Sequence, residues 1–357
     1  MVYGVYVVSS TPLSPLTTLR LGGPAASLVE VTDADETVEA VRAADKAERP
    51  VLVLAGGSNV VVSDAGFDGD VVLLRSAGIR TERRGDHVEL TVAAGHNWDD
   101  LVATCVAEGL AGIECMSGIP GSAGATPIQN VGAYGQEVAE TVRWVTAYDR
   151  HADEVVTLAP ADCGFGYRHS AFKGHDRHVV LEVTYALRPD RHGGPLRFGE
   201  LTKVLGVEAG GAALLGDIRD AVLGLRRGKG MVLDAEDPDT RSVGSFFMNP
   251  VVSETSWAAL LERCADRLGE GVVPPRWPDG TGRVKTSAAW LIERAGYPKG
   301  YGRDGVAISS KHTLALTHRG GGSTAALLGL AREIRDGVKS AFGVRLVNEP
   351  VLIGETL

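Results

Sequence analysis

Apolar positions along this chain switch between two periods, and the switches mark out strands and helices in its first third. Asp33 and Glu36 stand three apart, as in a capping box, ahead of Val38 and Val41 on one helical stripe; this predicts a helix through about Ala47. Val51 to Leu54 and Val71 to Leu74 are short, wholly apolar runs that predict buried strands. Val88 to Val92 alternates, the pattern of a strand with one covered face. Asn97 is placed to cap a helix bearing Trp98, Leu101, Val102 and Cys105, with Gly109 as its stop. Further on, Val179 to Leu187 predicts a strand, Arg188 to Gly194 a polar break, and Ile218 to Arg226 a helix. A last helix starts at Ser323, repeats Leu327, Ala331, Ile334, Val338 and Phe342 at helical spacing, and closes at Gly343.

The stretch from Ser117 to Gly135 fits neither period. It is rich in glycine and small residues, poor in large apolar side chains for a core, and too uncharged for a solvated linker, so a structured, packed loop is expected. Length adds that 357 residues exceed one ordinary core and imply two or three domains. Lys plus Arg total 36 against 45 for Asp plus Glu, and the net charge of -9 argues against nucleic acid or an anionic membrane as the main partner. No run approaches the roughly 20 apolar residues of a membrane span, so no membrane insertion is expected. Met1 to Thr18 lacks the basic residues and long apolar run of a signal peptide. Cys105, Cys115, Cys163 and Cys264 lack metal-ligand spacing and read as reduced, mostly buried thiols, which points to a cytoplasmic protein without a metal site.

Several stretches could carry chemistry. Ala55-Gly56-Gly57-Ser58-Asn59 directly follows an apolar strand, where adjacent glycines let backbone N–H groups converge on a phosphate; a tight turn is the alternative. It is neither a dinucleotide fingerprint nor a Walker loop. Ser117-Gly118-Ile119-Pro120-Gly121-Ser122-Ala123-Gly124-Ala125, continuing to Gln129-Asn130-Val131-Gly132, is a second glycine-rich segment. Two such loops suit a large flat ligand carrying a diphosphate, unless each is held by its own hydrogen bonds alone. Arg168 among glycines and aromatics can meet a carboxylate or phosphate through two parallel bonds, or lie on the surface. Ser245 lies between Gly244 and Phe246-Phe247, a dry setting in which a hydroxyl needs a partner or a purpose, with a turn serine as the alternative. Glu349 precedes an apolar strand, where burial would make it an acid and exposure an ordinary strand-edge carboxylate.

Taken in order, Thr17-Thr18-Leu19-Arg20 with Gly22-Gly23, Ala55 to Asn59, Gly118 to Gly135, Gly166-Tyr167-Arg168, Gly244 to Pro250 and Asn348-Glu349-Pro350 resemble the UDP-N-acetylenolpyruvoylglucosamine reductase family. The resemblance runs from about Leu16 to Gly354, and its most specific parts are the Gly118–Gly135 loop and Gly-Ser-Phe-Phe-x-Asn-Pro. It implies an α+β chain: an FAD-binding domain of the vanillyl-alcohol-oxidase type in two subdomains, and a C-terminal α+β substrate-binding domain. The spans would be 1–75, with 345–357 returning to it, then 76–233 with a lid near 191–205, and 234–344.

The resemblance further implies peptidoglycan precursor synthesis: reduction of UDP-N-acetylglucosamine enolpyruvate to UDP-N-acetylmuramate, with NADPH as co-substrate, in a cytoplasmic monomer. FAD would be contacted by residues of Ala55 to Asn59 and by Ser117, Gly118, Ile119, Pro120, Gly121, Ser122, Gly124, Ala125, Gln129, Asn130 and Gly132. Ser58 stands where covalent relatives of the fold often carry His, which implies noncovalent FAD. Ser245 would donate a proton to carbon, Arg168 and Glu349 would stabilise the enolate, and Lys229 and Asn249 would support the serine alkoxide. Tyr134, Tyr167, Phe198, Lys229, Asn249 and His312 would bind substrate. One position departs from the family pattern: Phe198 stands where a Tyr is expected in the nucleotide-covering segment Leu196 to Leu201. The competing readings are another flavin enzyme on the same fold and a non-catalytic flavin- or UDP-sugar-binding protein.

Overall fold

The computed structural model describes residues 8–280 and 282–357; residues 1–7, part of the stretch read for a targeting signal, lie outside the described residues. Contacts divide the chain into two compact units. The first takes in the chain up to Pro12, Pro24–Gly57 and Phe67–Val232; the second takes in Leu13–Gly23, Ser58–Gly66 and Leu233–Leu357.

The first unit holds a four-stranded sheet in the order Val8–Pro12, Pro24–Val31, Phe67–Leu74, Val51–Leu54. Its three later strands run parallel, with Val72 opposite both Val29 and Val53. Helix α1 (Ala34–Lys46) lies between two of them in sequence, as a parallel crossover requires. Asp33 caps it by accepting the Glu36 amide at 2.8 Å. The Glu36 carboxylate accepts the Thr32 amide at 2.7 Å, one residue ahead of the expected capping-box partner. Val71 to Leu74 is buried as predicted, whereas Val51 to Val53 is half-buried because that strand ends the sheet.

A second, antiparallel sheet is ordered Glu154–Leu158, Val142–Asp149, His178–Pro189, His87–Ala93, Ile79–Arg84. The strand predicted to stop at Leu187 continues to Pro189 because Arg188 and Pro189 pair with Ala111 and Leu110. Helix α2 (Trp98–Glu108) is capped by Asn97, which accepts the Asp100 amide at 3.1 Å, and stops at left-handed Gly109. Trp98 is fully buried, and its indole N–H donates to Met116 O at 3.1 Å. Helices α3 (Gly199–Leu205) and α4 (Leu215–Gly228) close a small cluster of Cys115, Leu196, Leu201, Ile218 and Val222.

The second unit packs α5 (Glu254–Leu268), α6 (Ala288–Arg294) and α7 (Thr324–Phe342) with short antiparallel sheets, one ordered Ser242–Ser245, Ala315–His318, Val306–Ile308, Gly302–Arg303. Leu327, Ala331, Ile334, Val338 and Phe342 of α7 are all buried, so the helical stripe read from sequence is the core face. Its cap is Ser323 and its stop Gly343, in the left-handed region. Val351–Ile353 pairs in parallel with Val60–Val62, and Thr18 donates through its hydroxyl to Ser242 O at 2.6 Å. The α+β class expected from sequence is the class found.

Candidate active site

In the first unit the two glycine-rich loops meet. A Cβ on Gly56 would stand 2.7 Å from the Gly121 Cα, nearer than any side chain can approach, so backbone lies against backbone. Gly57 and Gly121 also have positive φ, 57° and 121°. Beyond Gly121 the loop is tied down: Gly121 O accepts the Trp98 amide at 3.1 Å, and the Ala123 and Gly124 amides donate to His96 O and Ala94 O at 2.8 and 2.9 Å. Gly124 has no space for a side chain, since its Cβ would lie 2.4 Å from that of Ala94. Ser117 and Ser122 are buried, Ile119, Pro120 and Gln129 half-buried, and Ala125 exposed. Ala55 and Gly56 group with this unit, whereas Ser58 and Asn59 group with the second, where Asn59 O accepts the Val351 amide at 3.0 Å.

Asp99 anchors the loop. The Gly118 amide donates to its Oδ1 at 2.6 Å, and Arg219 of α4 pairs with both carboxylate oxygens at 2.7 and 2.9 Å. Burial opposes the Asp99 charge, but Arg219 and the Gly118 amide outweigh it and hold the carboxyl below the ordinary range. Beside Gly118 lies Arg226, whose Nε is buried without a hydrogen-bond partner; burial pushes its guanidinium down to about 10. Glycine backbones at van der Waals limits, next to a partly satisfied buried guanidinium, fit a diphosphate-bearing cofactor such as FAD.

Asn130, buried and at positive φ, works as a staple: its Nδ2 donates to Glu137 and Gly166 O at 2.8 and 3.0 Å, and its Oδ1 accepts the Ala139 amide at 3.1 Å. Arg168, also at positive φ, donates through Nη2 to Gly132 O at 2.7 Å and lies 5.6 Å over the Tyr167 ring. The same unit gathers three of the residues expected at the substrate. Phe198 meets Tyr134 edge to face at 5.2 Å, and Lys229 sits 5.7 Å over the Tyr134 ring while pairing with Glu200 at 2.5 Å.

In the second unit the backbone gathers Ser245, His312 and Glu349. Ser245 ends a strand in register with Ala315, and the next amide, Phe246 N, donates to Leu314 O at 2.6 Å. On its other side Phe246 O accepts the Glu349 amide at 2.8 Å, and Phe247 bridges Asn348. Phe246 and Phe247 are fully buried and pack edge to face, while Ser245 and Glu349 are half-buried. The Ser245 hydroxyl lies 3.4 Å from His312 Nε2. Asn249 accepts the Ala288 amide at 3.0 Å through Oδ1, at the start of α6. Of the two groups expected beside the serine oxygen, Asn249 also caps α6 through its Oδ1, and Lys229, in the first unit, pairs with Glu200.

Residues 25–159 match an FAD-binding domain family, and residues 237–353 match the C-terminal domain of UDP-N-acetylenolpyruvoylglucosamine reductase. The UDP-N-acetylenolpyruvoylglucosamine reductase of Thermobifida fusca is 57% identical over 349 residues, covering 98% of each chain. This chain belongs to the UDP-N-acetylenolpyruvoylglucosamine reductase family. The family's Streptomyces coelicolor protein is 55% identical, over 99% of this chain and 92% of that one. The crystal structure of the family's Thermus caldophilus enzyme superposes with a TM-score of 0.65 at 23% identity, over 98% and 99% of the two chains, and so shares the fold. As a member of this family with an FAD-binding domain, the chain is an FAD oxidoreductase. No helix among the described residues is long and apolar enough to cross a membrane.

Sequence reasoning missed Asp99, Arg219 and Arg226. Asp99 stands in the first turn of a capped helix, where a carboxylate is expected simply to face the helix dipole. Nothing local signals that it will hold an amide 19 residues onward.

Proposed function

We propose that this protein reduces UDP-N-acetylglucosamine enolpyruvate to UDP-N-acetylmuramate for peptidoglycan synthesis, with NADPH as reductant. The observation that carries the reading is Ser245: it follows Gly244 and precedes two buried phenylalanines, inside the segment matched by the family's C-terminal domain. FAD, bound without a covalent bond, would supply hydride chemistry, with NADPH as the source of reducing equivalents. The chain's own residues do the rest. Ala55 to Asn59 and the Ser117–Gly132 loop hold the cofactor through backbone N–H groups, with Arg226 as a fixed positive charge beside Gly118. Ser245 gives its hydroxyl proton to the substrate carbon next to the carboxylate. Arg168, its guanidinium oriented by Gly132 O, and Glu349 stabilise the negative charge that develops on the enolate. Tyr134, Tyr167, Phe198, Lys229, Asn249 and His312 bind the substrate, with 191–205 as a lid and 234–344 as the substrate-binding domain. The protein acts as a monomer in the cytoplasm.

Anaerobic mixing tests the reading. NADPH should bleach the yellow protein, and the enolpyruvyl sugar should then restore the colour. A protein that oxygen reoxidises rapidly while the sugar leaves it bleached would instead be another oxidoreductase of this fold.

A further inference from the structure

We infer that His312 is the proton relay that resets Ser245, an inference that rests on the proton-donor reading of that serine. A serine hydroxyl is a weak acid, and the alkoxide that develops as it donates its proton to carbon must be reprotonated as it forms. The imidazole is the titratable group placed to do so, with Nε2 3.4 Å from the serine oxygen, a distance that can shorten once substrate fills the site.

The placement is built into the sheet. Ser245 is in register with Ala315, Phe246 N donates to Leu314 O at 2.6 Å, and His312 O accepts the Ala315 amide at 3.1 Å. Strand pairing therefore fixes the serine against the turn that carries the histidine. That turn is itself held by fully buried Ser309, whose Oγ accepts the Lys311 and His312 amides at 3.0 and 3.1 Å. The charged groups around the turn are already engaged. Asp239 binds the Ser310 amide and hydroxyl and pairs with Arg319, Asp237 pairs with Lys311, and Glu293 accepts the Thr313 hydroxyl. Glu349 follows from the neighbouring segment through its amide on Phe246 O.

The proton count closes. As the Ser245 O–H bond breaks and the new C–H bond forms, the electron pair left on Oγ takes the proton from Nε2 of the doubly protonated imidazole. The ring is left neutral with its proton on Nδ1, and solvent returns the second proton. His312 then acts through Ser245 as well as lying at the substrate, so its loss cannot be repaired by more substrate.

The test uses the FAD-loaded protein, reduced anaerobically by NADPH and mixed with saturating enolpyruvyl sugar. His312→Gln, which keeps a hydrogen-bonding side chain without a usable proton, should slow reoxidation by about 100-fold and flatten its pH profile, a loss typical of a removed acid. His312→Ala should regain about tenfold of its lost rate on adding imidazole. A His312→Gln rate within twofold of wild type, no rescue of His312→Ala by imidazole, or a deficit abolished by raising the sugar concentration would overturn the relay. Wild-type protein that the sugar fails to reoxidise would instead overturn the functional reading itself.

Discussion

Asp99 accepts the backbone amide of Gly118 at 2.6 Å while Arg219 grips both of its carboxylate oxygens, so one side chain of α2 sets the conformation of a loop read as cofactor-binding. Replacing it frees the Gly118 amide and strands a half-buried guanidinium. Asp99→Ala should weaken FAD binding by roughly 10- to 100-fold, the scale of about 1.5–3 kcal/mol for a hydrogen bond to a charged group. Titration of the apoprotein by flavin fluorescence measures this directly, and an unchanged affinity would show that the loop holds its shape unaided.

Acid should undo the same contact. The Asp99 carboxyl is held below its ordinary value of 3.8, so its contribution is fully present above that pH and fades as pH falls through the lower folded value. Asp99→Asn should remove that part of the acid sensitivity, read from unfolding midpoints across the acid range. Equal acid slopes in the two proteins would contradict the assignment.

Close backbone approach at Gly56 gives a steric prediction. Its Cβ would stand 2.7 Å from Gly121 Cα, so Gly56→Ala should push the two loops apart and cost about 1–3 kcal/mol, with loss of bound flavin. Gly216→Ala in α4 is the control, since nothing lies within 4 Å of its Cβ position, and it should stabilise by roughly 0.5–1 kcal/mol. Flavin content and thermal melting of both proteins decide the matter.

Ser245→Ala separates the two half-reactions. Reduction by NADPH should proceed at nearly the wild-type rate, while reoxidation by the enolpyruvyl sugar slows by about 100- to 10,000-fold. Equal slowing of both would mean that the serine shapes the site without donating a proton.

The thiols should be silent. Burial pushes Cys105 up to about 12 and Cys163 up to about 11, and raises Cys115 and Cys264 as well. A colorimetric thiol reagent near neutral pH should label none of the four in the folded protein and all of them after unfolding; fast labelling of even one native thiol would be inconsistent with this burial.

Much of this molecule is written locally. Asp33, Asn97 and Ser323 act as caps because each bonds an amide three residues on, and the α7 stripe reads as core because a 3.6-residue period puts it on one face. The glycine loops and Ser245 were also legible, as residue types that leave backbone exposed or place a hydroxyl in dry surroundings. What folding alone decided is which of these meet. That Gly56 rests on Gly121, that Asp99 reaches Gly118, and that His312 lies against Ser245 all depend on loop closure and strand register. These contacts join residues distant in sequence, and no short-range period encodes a register that two separate strands must agree on.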